Sequence, residues 1–196
     1  MVVHPSVPAK TLRQFIALAR AHPGKLNYGS GGAGTTNHLA NELLKNLQKI
    51  NLVHVPYKGA TLAAGALISG EVDEVILGVA PALPFIKAGR VRPLAVLSEK
   101  RVKTLPGVPT AEEAGVPGFK ISIWYGLFVP AGTPPEVIAR LNREVTTALQ
   151  DPELLKRMSN AGMDPWPGTA DEMGSHLRSE IERFTRLAKS AGLKKE

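Results

Sequence analysis

Apolar residues recur at helical spacing in four windows of the chain. They are Leu12, Phe15, Ile16 and Ala19; Leu39, Leu43, Leu44 and Leu47; Val137, Ile138, Leu141, Val145 and Leu149; and Met173, Leu177, Ile181, Phe184 and Leu187. Intervals of three and four residues place each set on one stripe, so each window predicts an amphipathic helix with a face to bury. Capping boxes mark the helix starts: a threonine hydroxyl and a side chain three residues on satisfy each other's backbone N–H groups. Thr11 with Gln14, Thr110 with Glu113, Thr133 with Glu136 and Thr169 with Glu172 fit this pattern, and Pro134 is expected at the first helical position. Asp151-Pro152 opens another short helix that Gly162 ends, and Gly192 is expected to stop the last one.

Short strand-like runs lie between these windows: Leu26 to Tyr28, Leu52 to Val55, Val72 to Leu77, Val91 to Leu97 and Ile121 to Val129. The first four alternate with helices beginning near Thr35, Ala60 and Pro81. Strand–helix–strand at this spacing requires crossovers, hence a mainly parallel sheet flanked by helices, and the class is α/β. A boundary is expected near Pro117-Gly118. Beyond it come one long strand and three helices, too few strands for a sheet of their own.

Composition narrows the function. The chain has 196 residues, 43% hydrophobic and 21% charged, an ordinary globular balance. Its net charge of +7 raises the question of nucleic acid. However, Lys10, Arg13, Arg20, Lys25, Arg90, Arg92, Lys100, Arg101 and Lys103 are scattered, and aromatic residues make up only 5% and do not interleave with them. No nucleic-acid partner is expected; the charge reads as solvated surface that attracts anions. There is no cysteine, so disulfides and thiolate zinc are out. His4, His22, His54 and His176 share no ligand spacing, and no metal or cofactor is expected. Glu71, Asp73 and Glu74 read as a solvated turn. No apolar run reaches the ~18–20 residues of a membrane span, and Met1-Val2-Val3-His4-Pro5 does not read as an export signal.

The candidate chemistry sits in glycine-rich loops. Tyr28-Gly29-Ser30-Gly31-Gly32-Ala33-Gly34-Thr35-Thr36-Asn37-His38 joins a strand to a helix. Glycine lets backbone approach a ligand closely, and the helix start points unsatisfied N–H groups and a positive dipole end into the loop. That is an anion site for phosphate or carboxylate alike. Val55-Pro56-Tyr57-Lys58-Gly59 and Gly78-Val79-Ala80-Pro81 make the same transition, and loops after parallel strands meet at one sheet edge. Gly29, Gly31 and Gly34 also satisfy G-x-G-x-x-G, so a nucleotide- or dinucleotide-binding enzyme is the alternative reading. Against it, the next strand ends in His54-Val55-Pro56-Tyr57-Lys58 with no acid for a ribose. Gly34 is followed by Thr35 where a phosphate-binding loop needs Lys, and Tyr28 breaks the nucleophile-elbow pattern around Ser30. No nucleophile–base pair is evident, and no catalytic residue is assigned.

Together, Tyr28 to Thr36 with His38-Leu39-Ala40, Val55 to Gly59, Ala82-Leu83-Pro84, Ile86 to Gly89, Leu94-Ala95-Val96, Pro109-Thr110 with Glu113-Ala114-Gly115, Trp124-Tyr125-Gly126 and Pro130 to Pro134 resemble the substrate-binding proteins of tripartite tricarboxylate transporters, the Bug family. The likeness runs over essentially the whole chain. It implies a periplasmic-binding-protein-like fold of type II, with two α/β lobes joined by crossing strands around a carboxylated solute. Residues 1–122 would form the ligand-binding lobe, and 123–196 a crossover strand and C-terminal helices of the other lobe. The stretch for that lobe's remainder, with its Pro-Gly-Gly loop and export signal, is not in this sequence. The resemblance further implies ligand contacts at Ser30, Gly32, Ala33, Gly34, Thr35, Thr36, His38, Tyr57, Lys58 and Gly78, no catalysis, a periplasmic location, and membrane transporter subunits as partners. The residue reading agrees on the loops, with the Thr35 and Thr36 hydroxyls joining backbone N–H groups on one carboxylate. A remaining alternative is an assembly module that dimerises through its unpaired C-terminal segment.

Overall fold

The computed structural model of the chain describes residues 1–190, and the stop expected at Gly192 lies outside the described residues. The elements are β1 (Val2–Val3), α1 (Leu12–Ala21), β2 (Asn27–Ser30), α2 (Thr36–Gln48), β3 (Val53–Pro56), α3 (Ala60–Ser69), β4 (Glu74–Val75), α4 (Val79–Lys87), β5 (Arg92–Pro93), α5 (Pro135–Ala148), α6 (Pro152–Asn160) and α7 (Ala170–Ser190). They fall into two compact units, Met1–Ile123 with residues 186–190, and Trp124–Thr185.

The first unit is built on a five-stranded sheet in the order β3-β2-β4-β1-β5. β2 runs parallel to both β3 and β4, and β1 runs antiparallel to β4 and β5. Four strands therefore share one direction, as the α/β alternation predicts. The reversed β1 was not legible, because Val2-Val3 is too short to show a period. Pleating sends successive side chains of β2 to opposite faces. Gly29 faces α3, where an added Cβ would meet Val75 at 3.1 Å, Val72 at 3.2 Å and Ala63 at 3.4 Å. Those three belong to an apolar cluster with Val2, Ala66, Leu67, Ala82 and Val91. The α1 stripe, Leu12, Phe15, Ile16 and Ala19, is wholly buried. Each large side chain so removed from water stabilises the unit by about 1.5–3 kcal/mol.

The capping boxes do not all open helices. At α1, Thr11 Oγ1 accepts from Gln14 N–H at 3.2 Å, while the Gln14 amide takes Lys10 N–H. Asp151 caps α6 through Leu154 N–H, and Thr169 and Glu172 bond reciprocally at α7. Thr110 and Glu113 make the same reciprocal pair at 2.8 and 3.1 Å, yet only turns come after it. Gly115, at φ +88°, and Pro117 end the segment before a second helical turn. Thr133 does not cap: its hydroxyl donates to Pro130 O at 2.8 Å. Pro135, not Pro134, is the first helical residue, since proline forces its predecessor into extended backbone, here ψ 140°. α4 likewise starts at Val79, two residues before Pro81. The run Ile121 to Val129 forms no strand; among the described residues it has no ladder partner.

In the second unit α5 is amphipathic but buries none of its residues, and Val137, Leu141 and Ile181 stand exposed. Contacts between segments distant in sequence join its parts. The His176 ring packs edge-on against Trp124 and Trp166, and Trp124 Nε1 donates to Glu180 Oε2 at 3.3 Å.

Candidate anion-binding site

β2 lies between β3 and β4, and all three run in parallel, so their carboxyl ends and the starts of α2, α3 and α4 share one edge of the sheet. The first two loops are fastened together. Tyr57 N–H donates to Ser30 O at 2.9 Å, extending the β2–β3 pairing beyond the strands. A Cβ on Gly31 would stand 3.0 Å from Ala60 N and 3.2 Å from Gly59 C, so a side chain at that position would force the loops apart.

The three helix starts on this edge have a common peculiarity. Their N-caps are Thr35, Gly59 and Gly78; none caps through its side chain, and none of the three first turns carries an acid. By contrast α1 and α6 are capped by Thr11 and Asp151. An uncapped start leaves N–H groups and the positive dipole end without a protein partner. In α2 the Thr36 and Asn37 N–H groups have none among the described residues. Three such starts on one edge make a field suited to an anion.

Of the predicted contacts, Gly32, Ala33, Gly34, Thr35 and Thr36 reach the surface, with Ala33 and Gly34 exposed. Gly32 and Gly34 hold the loop in left-handed backbone, at φ +121° and +76°. The Thr35 hydroxyl differs from expectation. It lies 2.6 Å from both Gly32 O and Asn37 Oδ1, and so closes the loop instead of facing outward. Ser30 and His38 lie beneath the loop, at 0% and 4% exposure. Ser30 Oγ accepts from Gly32 N–H at 3.1 Å, and His38 Nδ1 accepts from Gly34 N–H at 3.0 Å. Tyr57 is half-buried and donates its hydroxyl proton to Glu71 Oε1 at 2.8 Å; partial burial and that carboxylate push its pKa up to about 12. Lys58 is exposed, and Gly78 caps α4.

Two residues with central roles escaped sequence reasoning. Asn37 Oδ1 accepts from Gly31 N–H and His38 N–H, at 3.3 and 3.2 Å, as well as facing Thr35. An amide residue at a helix start was the available clue. His54 Nε2 lies 2.6 Å from Ser30 Oγ, and its ring stacks on His38 at 4.1 Å and Tyr28 at 4.9 Å. Burial lowers the pKa of His38, and burial with the neighbouring His38 moves His54 down to about 4. At the far side of the stack, Glu42 accepts from Tyr28 Oη at 2.7 Å and Lys45 Nζ at 2.6 Å. Burial raises its pKa, but these bonds outweigh burial and leave it lowered.

The Ser30–His54 contact has the length of a nucleophile–base pair, which the linear spacing concealed. Ser30 is nonetheless fully buried and tied to Gly32, so its hydroxyl faces no substrate. The acidic group at 71–74 also departs from a solvated turn. Asp73 and Asn27 clasp each other at 2.8 Å in both directions, joining the starts of β2 and β4, and Glu74 is fully buried in β4. Only Glu71 is exposed. Pairing of β4 with β2 and β1 is what draws Glu74 inside.

Residues 1–193 match the model described as the tripartite tricarboxylate transporter family receptor. A Pseudomonas relative, a UPF0065 protein of the tcbD-tcbE intergenic region, is 40% identical over 179 residues, covering 91% of this chain and 53% of its own. An R. palustris protein solved with adipate superposes with a TM-score of 0.91 at 35% identity, covering 97% of this chain and 64% of that one. The periplasmic binding protein BugD gives 0.88 at 28% identity, with 100% and 66% coverage. The chain thus spans a little over half the length of the Pseudomonas relative and about two thirds of these structures.

Proposed function

This chain belongs to the tripartite tricarboxylate transporter receptor family, whose members are periplasmic solute-binding proteins and not enzymes, and from that premise we propose that its sheet edge binds one carboxylate of a small dicarboxylate. The observation that carries the reading is the set of three uncapped, acid-free helix starts at the ends of adjacent parallel strands. Backbone N–H groups of the α2, α3 and α4 first turns hold the carboxylate, with Gly32 to Thr36 shaping the cradle, Tyr57 as a flat wall and Lys58 and Gly78 at the rim. Ser30 and His38 act from below. Adipate in the R. palustris neighbour makes a dicarboxylate the natural probe. We further propose that Met1–Ile123 corresponds to the family's ligand lobe and Trp124–Thr185 to part of the other. On this reading the protein works in the periplasm, delivering solute to membrane subunits of a tripartite system.

Thr36→Pro tests the assignment. Position 36 is the first residue of α2, and Thr35 already has the extended backbone, ψ 157°, that proline requires before it. Proline is favoured at that position and removes only a donor the fold leaves unused. A charge-assisted bond contributes about 1.5–3 kcal/mol, so affinity for adipate, followed by amide NMR titration, should fall about tenfold to a hundredfold at unchanged thermal stability. No adipate-dependent shift at Thr36, Asn37, Ala60 or Val79 in the wild type would end the reading. A second reading is self-association: Tyr125 and Leu127 are 82% and 77% exposed, with Phe128 and Trp166 exposed in the same unit. Light scattering at a single-chain mass would dismiss it.

A further inference from the structure

We infer that His38 and His54 form a stacked positioning pair whose neutral rings hold the anion loop in its binding shape, so that anion capture is switched off by acid. The inference rests on the carboxylate reading of that loop and adds a pH control to it. Its basis is geometric. The loop is held from beneath at two amides: Gly34 N–H donates directly to His38 Nδ1 at 3.0 Å, and Gly32 N–H donates to Ser30 Oγ at 3.1 Å, which in turn lies 2.6 Å from His54 Nε2.

An imidazole nitrogen accepts a hydrogen bond only while it is unprotonated. Protonation of His38 at Nδ1 would place an N–H against the Gly34 N–H, so the two donors must separate and Gly34 must turn. The rings cannot both take up charge in place, because their centroids are 4.1 Å apart with planes 14° from parallel. The Ser30–His54 contact couples more loosely, because Ser30 Oγ can keep the Gly32 N–H bond in either state. With Gly32 N–H already donating to Oγ, a neutral Nε2 can receive the serine proton. A protonated Nε2 would donate instead and send that proton to Gly32 O, 3.2 Å away.

The groups facing the pair are few. From β2 come Tyr28 and Ser30; from α2 come Glu42, 3.9 Å from His38 Nε2, and Lys45. Glu42 favours a charged His38, but it is held by Lys45 and by the Tyr28 hydroxyl, and Lys45 opposes the same charge. Burial is the larger influence and lowers both rings. Rings that protonate less readily when folded favour the neutral loop, and that preference is lost as pH falls below the ordinary 6.5 towards the folded values.

The experiment compares wild type with His38→Asn, whose Oδ1 can accept from Gly34 N–H at the place of Nδ1 and does not protonate. Adipate affinity is measured by NMR titration at pH 7.5 and pH 4.5, with circular dichroism confirming the fold at both. Adipate's own titration is common to the two proteins and cancels in the comparison. The loss of affinity between the two pH values should be at least fivefold greater in wild type than in His38→Asn. In ligand-free wild type, the Gly34 amide resonance should move with the same midpoint as the His38 ring. Equal pH profiles in the two proteins, or a Gly34 amide that ignores the ring's titration, would overturn the inference. If Gly34 tracks His38 but no adipate binds at any pH, the positioning pair stands and the carboxylate reading falls.

Discussion

Replacing Gly31 with alanine tests whether the first two loops truly share one site. Gly31 is not among the glycines with left-handed backbone, so alanine is conformationally permitted there. The cost is purely steric: the new methyl would stand 3.0 Å from Ala60 N and 3.2 Å from Gly59 C. Both are backbone atoms at the first turn of α3, so no side-chain rotation relieves the clash, and α3 must retreat by some tenths of an ångström. Overpacking of this kind costs about 1–3 kcal/mol, which for a chain of this length lowers Tm by roughly 3–10 °C. Because the retreat separates the donors of α2 from those of α3, adipate affinity should fall as well, with amide shifts concentrated at Gly59 and Ala60. Gly34→Ala is the control. Gly34 sits at φ +76° with nothing within 4 Å of a Cβ, so it should cost only the conformational penalty of about 1–2 kcal/mol, without disturbing Ala60. A Gly31→Ala protein with wild-type Tm and unmoved Ala60 amide would refute the claim that these loops converge.

Other expectations concern the supports of the site. Asn37→Ala leaves Gly31 N–H and His38 N–H without their acceptor, and urea unfolding should register a loss of about 1–3 kcal/mol. Phe15→Ala, at a wholly buried position of α1, should cost about 3–5 kcal/mol by the same measurement, because the cavity collapses only in part. For Glu74, burial raises the carboxyl from 4.5 to about 8 against the opposing pull of the Met1 amine. An acid with a raised folded pKa keeps its proton in the folded state while the unfolded chain has lost it. Its contribution is therefore fully present below pH 4.5 and lost as pH rises towards 8. Unfolding curves at pH 5 and pH 8 should show Glu74→Gln gaining on wild type by a few kcal/mol, with about 4 kcal/mol as the ceiling; a constant difference would contradict it.

Much of this protein could be read from its linear pattern, for reasons that are local. The α1 stripe is amphipathic whichever neighbour covers it, and Leu12, Phe15, Ile16 and Ala19 are all buried as the period demands. The glycine caps Gly59 and Gly78 announce helix starts without a side-chain cap, because a missing side chain and missing acids are properties of the residues themselves, whereas Thr35 could cap and only the fold turns its hydroxyl to the loop. Other features were decided only by the tertiary structure. Whether Ile121 to Val129 is a strand depends on an edge to pair with. The register of β2 against β3 sets His54 beside Tyr28, and the stack on His38 turns two isolated histidines into one unit beneath the loop. Burial of Glu74 likewise comes from strand pairing and not from the polarity of its segment. Period and turn chemistry act over a few residues and are written in order along the chain. Hydrogen-bond partners, burial and proton affinity depend on groups that only folding brings together.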